Sequence, residues 1–120
     1  MTLTYIESPM IEKILGIPTV QENVIKWTLM LCEALKQDAP DDYDYIFESG
    51  NKYHKVIMID SSVRKNRSVH CFIDKNTGEV YKSASWKSPA KGVRYDMRLI
   101  EDRERMFENC DWAGAYLYAR

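Results

Sequence analysis

The sequence predicts an α+β protein in which two main helices pack on one face of an antiparallel sheet of four to five strands. Apolar residues recur at helical spacing in residues 1–38 and again in residues 96–110, whereas apolar and polar residues alternate over residues 43–86. A β-rich stretch at residues 115–119 predicts a short terminal strand. Because 120 residues is the length of one domain, we expect residues 1–120 to form a single domain.

The first two helices are predicted from residues that are typical of helix ends. Ser8 followed by proline is typical of a helix start and Gly16 of a helix end, so a short helix is expected between them. Thr19 and Glu22 have the spacing of a capping box, which predicts a second helix over residues 20–37. Its apolar stripe follows steps of three and four residues: Val20, Val24, Trp27, Leu31 and Leu35.

Antiparallel hairpins are predicted by four alternating stretches: YDYIFE, KYHKVIMID, SVHCFID and EVYKSASW. Residues 49–51, with the sequence Ser-Gly-Asn, form the turn between the first two stretches. The last two are joined by a turn from Asp74 to Gly78, because the aspartate can bond back to the turn amides and glycine tolerates a positive φ.

The turn after Asp74 sets the register of the last hairpin. If Asp74 lies opposite Glu79, then Phe72 lies opposite Tyr81, and side chains alternate between two faces. The face expected to be covered by helices holds Val69, Cys71, Ile73, Val80, Ala84 and Trp86. The face expected to be more exposed holds His70, Phe72, Tyr81, Ser83 and Ser85.

Two features are predicted after this hairpin. The segment ASWKSPAKG is expected to turn; either its amides cradle an anion with Trp86 as a wall, or Trp86 anchors the turn in the core. Asp96 can then cap the helix predicted over residues 96–110, whose apolar residues recur at helical spacing.

Charge is strongly segregated along a chain of net charge −1. Residues 1–51 carry 3 basic and 9 acidic side chains, residues 52–94 carry 10 basic and 3 acidic, and residues 95–120 carry 4 basic and 6 acidic. The basic middle segment can create a local positive field on the sheet, unless the acidic ends fold over it and neutralise it.

Sequence motifs of catalysis are absent, including those of serine hydrolases, zinc proteases, phosphate loops and dinucleotide sites. His70 and Cys71 are neighbours in a predicted strand, so they should point to opposite faces and cannot form a base and thiol pair. The three cysteines lack a paired spacing, which favours core positions in a reducing, cytoplasmic setting. We expect no metal, no cofactor and no membrane-spanning helix, and the sequence favours a protein that is not an enzyme.

Basic and aromatic side chains are interleaved through the hairpins. The basic set is Lys52, Lys55, Arg64, Lys65, Arg67, Lys82, Lys87, Lys91 and Arg94, and the rings among it are Tyr53, Phe72, Tyr81 and Trp86. Exposed rings can stack on bases while cations contact phosphates. The candidate ligand-binding residues are His70, Phe72, Tyr81, Lys82, Trp86, Lys87, Lys91 and Arg94.

The sequence blocks SVHCFID and VYKSASWKSPAKG, with GNKYHKVIMID before them and DWAGAYLYAR at the end, are distinctive. Over roughly residues 50–120 the chain resembles a group of small proteins of tailed bacteriophages to which no activity is assigned. The resemblance implies a phage-encoded protein made in the cytoplasm of an infected bacterium. It implies no catalytic residue, cofactor or ligand.

Three functional hypotheses follow from these observations. The first is a non-catalytic phage accessory protein that binds single-stranded nucleic acid or a nucleotide-like anion through the basic, aromatic sheet surface. The second is a host-takeover protein that inhibits a bacterial protein through an interface. Its acidic first third would imitate nucleic acid and includes Asp41, Asp42, Asp44 and Glu48. The third is a minor component of the virion.

Overall fold

Two α-helices and a five-stranded antiparallel sheet form the described part of this computed structural model, residues 16–62 and 66–118. The elements are α1 (Val20–Asp38), β1 (Tyr43–Ser49), β2 (Tyr53–Asp60), β3 (Asn66–Asp74), β4 (Glu79–Lys82), β5 (Tyr95–Asp96), α2 (Ile100–Asn109) and a 3-10 helix (Ala115–Leu117). The strands follow one another across the sheet in chain order. The predicted α+β class is confirmed, while the short helix expected between Ser8 and Gly16 lies outside the described residues.

Helix α1 begins as its capping box predicts. The amide of Glu22 donates to Oγ1 of Thr19 at 3.1 Å, and the amide of Thr19 donates to Oε1 of Glu22 at 2.9 Å. The helix buries one stripe against the sheet: Val24, Thr28, Leu31, Cys32 and Leu35. No helix in the described ranges is both long and apolar enough to span a membrane.

The capping box gives a direct stability prediction. Thr19→Ala removes the oxygen that accepts from the Glu22 amide, so we expect the free energy of unfolding to fall by about 1 kcal/mol. Urea denaturation followed by circular dichroism measures this. Thr19→Ser keeps the hydroxyl and is expected to stay close to wild type. Equal losses in both variants would contradict a capping role.

The core lies between the helices and one side of the sheet, called here the helix face; the opposite side is the outer face. Buried residues from every strand and both helices form one cluster: Val24, Leu31, Cys32, Leu35, Tyr45, Val56, Cys71, Ile73, Val80, Tyr95, Met97, Met106, Tyr116 and Leu117. The predicted register of the last hairpin is confirmed, since Phe72 pairs with Tyr81 and Ile73 with Val80.

A bulge between β2 and β3 moves His70 away from its predicted face. Val56 pairs with Cys71 and Ile57 with Val69, which leaves His70 as an extra residue without a partner. The imidazole lies 5.6 Å from the ring of Tyr45, a member of the core cluster. The prediction that His70 shares the exposed face with Phe72 is therefore wrong, because one inserted residue reverses the alternation beyond it. His70 and Cys71 lie on the same face.

Strand β4 is shorter than predicted, and this changes the position of Trp86. The strand ends at Lys82, and only an isolated bridge between Ser83 and Pro89 follows. Trp86 was expected on the face with Cys71. Its ring instead lies 4.5 Å from Nζ of Lys55, the residue that pairs with Phe72 on the outer face. Strand alternation cannot be extended through a segment that has left the ladder.

Helix α2 starts later than predicted. It spans Ile100–Asn109, and its N-cap is Leu99, which makes no side-chain capping bond. Asp96 belongs to β5, and its carboxylate accepts from the backbone amide of Arg98 at 3.0 Å and from that residue's guanidinium. The expected cap at Asp96 is wrong, since the carboxylate closes the turn that precedes the helix.

The predicted terminal strand at residues 115–119 is not formed in its described part. Gly114 has φ of 83°, and a 3-10 helix follows over Ala115–Leu117. Side chains of the sheet bind the carbonyls of this segment: Tyr45 Oη donates to Trp112 O at 2.9 Å and Tyr95 Oη donates to Tyr116 O at 3.2 Å. The segment thus packs across the helix face rather than adding a strand to an edge.

Candidate ligand-binding surfaces

The sequence-predicted site residues lie on two different surfaces. Phe72, Tyr81, Trp86 and Lys87 are on the outer face or beside it. On the helix side, His70 and Lys82 line a cleft under the C-terminal segment. The two remaining candidates, Lys91 and Arg94, belong to the loop before β5. The eight residues therefore do not form one site.

A groove of about 280 Å³ opens on the outer face and is called here the outer groove. Its side chains come from β1, from the β1–β2 turn, from β2 and β3, and from the loop after β4: Glu48, Asn51, Lys52, Tyr53, Lys55, Phe72 and Lys87. Three lysines thus surround two aromatic rings. Glu48 is the single carboxylate among these lining residues.

Trp86 stands beside this groove with cations on its ring. Its side chain is 41% exposed, Nζ of Lys55 lies 4.5 Å from the ring centroid, and the Arg67 guanidinium lies 5.5 Å from it. Arg67 also forms a 2.8 Å salt bridge with Glu48. Since cations prefer the electron-rich face of an indole, they hold the ring in place while part of it stays open to solvent.

The other aromatic rings of the outer face pack against one another and do not add an open stacking surface to that of Trp86. Tyr53 packs edge to face on Phe72 at 5.7 Å and on Tyr81 at 5.9 Å between centroids. Phe72 is 2% exposed, so a ligand cannot stack on it. Tyr81 is half-buried, and burial together with Glu79 raises the pKa of its phenol, which keeps it neutral.

Positive charge on the outer face is only partly neutralised. Within the described ranges, Lys52, Lys55 and Lys87 take part in no salt bridge, while Arg67 uses Glu48. Lys52 and Lys55 also lie over aromatic rings, at 5.4 Å from Tyr53 and 5.8 Å from Phe72. A surface with three unpaired ammonium groups and one compensated guanidinium favours an anionic ligand.

Sequence reasoning placed Lys55 and Arg67 in the basic set but not among the candidate ligand-binding residues. Lys55 could have been included, because the pairing of β2 with β3 places it opposite Phe72, which was a candidate. The position of Arg67 depends on the bulge at His70, which the sequence did not reveal.

Several backbone amides of the loop ASWKSPAKG, for which an anion cradle was one of two predicted roles, already have hydrogen-bond acceptors. The amides of Ala84 and Ser85 donate to the Ser88 carbonyl, and that of Ala90 donates to Lys82 O. The amides of Lys87 and Ser88 donate to Oγ of Ser85 at 3.3 and 3.2 Å. Because these five amides already have acceptors, they are not available to an anion.

Arg94 holds two chain segments together. Its Nε donates to Leu117 O at 2.6 Å, and one terminal nitrogen donates to Gly92 O at 3.0 Å and Lys91 O at 3.3 Å. Glycine is favoured at position 92 because its φ is 96°, a conformation that other residues rarely adopt. The guanidinium therefore serves the fold, while the Lys91 side chain is exposed.

His70 and Lys82 lie on the other side of the sheet. Nε2 of His70 and the hydroxyl of Tyr116 are 2.8 Å apart, and burial lowers the pKa of the imidazole to about 4 although nearby Asp111 raises it. Lys82 places Nζ 4.7 Å from the ring centroid of Tyr118. At neutral pH the imidazole in this cleft is therefore uncharged.

The described cysteines and acidic residues do not point to metal or thiol chemistry. No cluster of three or more potential ligands able to hold a metal ion occurs within residues 16–62 and 66–118. All three cysteines are free thiols. Burial raises the pKa of Cys32 to about 12 and that of Cys71 well above its ordinary value, so both stay protonated.

A meandering antiparallel sheet with helices on one face and a basic, aromatic groove on the other defines an α+β protein with a candidate anion-binding surface. The chain belongs to DUF7717, a family of unknown function whose model matches residues 11–119. No match was found among curated proteins or among solved structures. The family description names no activity, ligand or partner.

Proposed function

We propose that this protein is a non-catalytic accessory protein that binds single-stranded nucleic acid, or a nucleotide-like anion, through its outer face. The proposed site is the outer groove together with the two neighbouring residues that contact each other beside it, Trp86 and Arg67. The resemblance over residues 50–120 supports a phage origin and action in the cytoplasm of an infected bacterium.

The observation that carries the proposal is the position of Trp86. A partly exposed indole is in contact with the cations of Lys55 and Arg67, beside a groove that contains Lys52 and Lys87. Proteins that bind single strands without sequence preference combine base stacking on such rings with lysine and arginine contacts to phosphates. The bulge and the early end of β4 bring these residues together.

Trp86→Ala provides the test of stacking. One base stacked on an aromatic side chain contributes about 1–3 kcal/mol, so the affinity for an oligo(dT) strand should fall about 5- to 150-fold. Fluorescence anisotropy with a labelled strand measures it. Trp86→Phe keeps a ring and is the matched control, for which a smaller loss is expected. Unchanged affinity in the alanine variant would refute nucleic-acid stacking at this site.

The host-protein hypothesis has less support from the described geometry. Of its four carboxylates, Glu48 pairs with Arg67, and Oδ1 of Asp44 accepts from the amide of Tyr45 at 2.9 Å. Asp41, Asp42 and Asp44 all stay exposed, so these three remain available for imitating nucleic acid. This alternative and the virion hypothesis stay predictions; retention of a bacterial protein after nuclease treatment would favour the former.

A further inference from the structure

The cleft on the helix side is separate from the outer groove and has a different chemistry. It has a volume of about 350 Å³ and lies between the ends of β2–β4 and the C-terminal segment. Its polar groups and rings come from both parts: Ser68, His70, Lys82, Ser83, Trp112 and Tyr118. This volume is in the lower range of small-molecule sites, enough for a ligand with one ring.

The imidazole of His70 is held at the wall of this cleft. Its Nε2 is 2.8 Å from the hydroxyl of Tyr116, while a Cβ on Gly114 would lie 3.6 Å from Cε1 and 4.0 Å from Nδ1. The bare glycine backbone, at a positive φ of 83°, thus passes along the Nδ1 edge of the ring. A neutral histidine fixed through one nitrogen can use the other in hydrogen bonding.

The charge that lines the cleft is positive. Among the described residues, Lys82 is the charged lining residue, and no carboxylate side chain belongs to the lining. Within the described ranges Lys82 forms no salt bridge, and its Nζ lies over the ring of Tyr118, which is 68% exposed. The nearby carboxylate of Asp111 is bonded to the amide of Tyr116 at 3.1 Å. An anionic group can therefore approach the ammonium without displacing a salt-bridge partner.

Flat apolar surface lies beside this cation. Trp112 and Tyr118 contribute rings to the lining from the two ends of the C-terminal segment, and Met58 and Leu117 add apolar side chains. Pockets of this kind bind ligands through apolar contact and use a few polar groups for orientation. The combination fits a planar ligand with an anionic end.

We propose that this cleft binds a small single-ring aromatic carboxylate. The carboxylate is placed at Lys82 and the hydroxyl of Ser68, since the Ser83 hydroxyl already donates to Val69 O. The ring is placed against Trp112 and Tyr118. This site is independent of the nucleic-acid surface, since the two lie on opposite faces of the sheet.

Benzoate and its neutral analogue benzamide are the probes for the test, used with the full chain labelled with nitrogen-15. We expect benzoate to shift the amide signals of Ser68, Lys82 and residues 112–114, and benzamide to shift them at least about tenfold more weakly. Equal shifts from both probes, no shift at concentrations on the order of 10 mM, or shifts confined to the outer groove would overturn the proposal.

Lys82→Met keeps the length of the side chain and removes its charge. It should weaken benzoate binding at least about tenfold, whereas Lys91→Met, an exposed lysine outside the lining, should leave it unchanged. Tyr118→Ala is a second variant at an exposed position and should weaken binding about fivefold by removing one ring. Wild-type affinity in both Lys82→Met and Tyr118→Ala would refute the site.

Discussion

Replacing Lys52 and Lys87 together by glutamate is expected to lower the affinity for single-stranded oligo(dT) about 10- to 100-fold at low salt. Both lysines are exposed in the outer groove, and neither is in a salt bridge within the described ranges. Each phosphate contact contributes about 0.7 to the slope of log affinity against log salt for a single strand, so the slope should fall by about 1.4.

A matched pair of substitutions separates this effect from net charge. Lys26→Glu with Lys91→Glu changes the charge of the chain equally at exposed positions outside the groove. Anisotropy titrations at three salt concentrations should then give nearly the wild-type slope. If both double variants lose the same affinity, the protein acts through its overall field, and the outer groove is not the binding surface.

Acidification is expected to weaken the fold through His70. Its pKa is lowered from 6.5 to about 4 in the folded protein, mainly by burial, while Asp111 opposes the shift. Between these values the unfolded chain binds a proton that the folded chain does not, so stability is full above about pH 6.5 and falls as the pH drops toward 4. Over this pH interval the free energy of unfolding should fall by about 2 to 3 kcal/mol.

Urea denaturation at several pH values between about 7 and 4 measures this loss. His70→Gln can keep a hydrogen bond to Tyr116 but cannot titrate, so its stability should fall less over the same interval. His54, whose pKa is also lowered by burial and by Lys75, remains in both proteins and cancels in the comparison. Parallel pH profiles for wild type and variant would show that His70 does not contribute.

Local sequence signals predicted most of the elements of the fold. The capping box at Thr19 and the turn after Asp74 each depend on residues close together in the chain, and both form as expected. The register of Phe72 with Tyr81 follows directly from that turn. Such features are predictable because their hydrogen bonds are satisfied within a few residues.

The candidate site was predicted less well, because its composition depends on contacts between distant segments. Phe72, Tyr81, Trp86 and Lys87 do lie on or beside one face, but His70 and Lys82 lie across the sheet in another cleft. The error at His70 came from the bulge, and the error at Trp86 came from extending the alternation of β4 beyond Lys82. Lys82 itself lies on the helix side because it pairs with Cys71.

The sequence by itself determined the α+β class, the limits of most strands and the concentration of positive charge in residues 52–94. Only the tertiary structure decided which of those charges share a surface with Trp86, and that residues 111–118 pack across the helix face instead of forming a strand. The physical reason is that a pattern of period two specifies the face of a residue only while the ladder is regular. A bulged residue or a chain leaving the sheet is placed by packing against distant parts of the molecule.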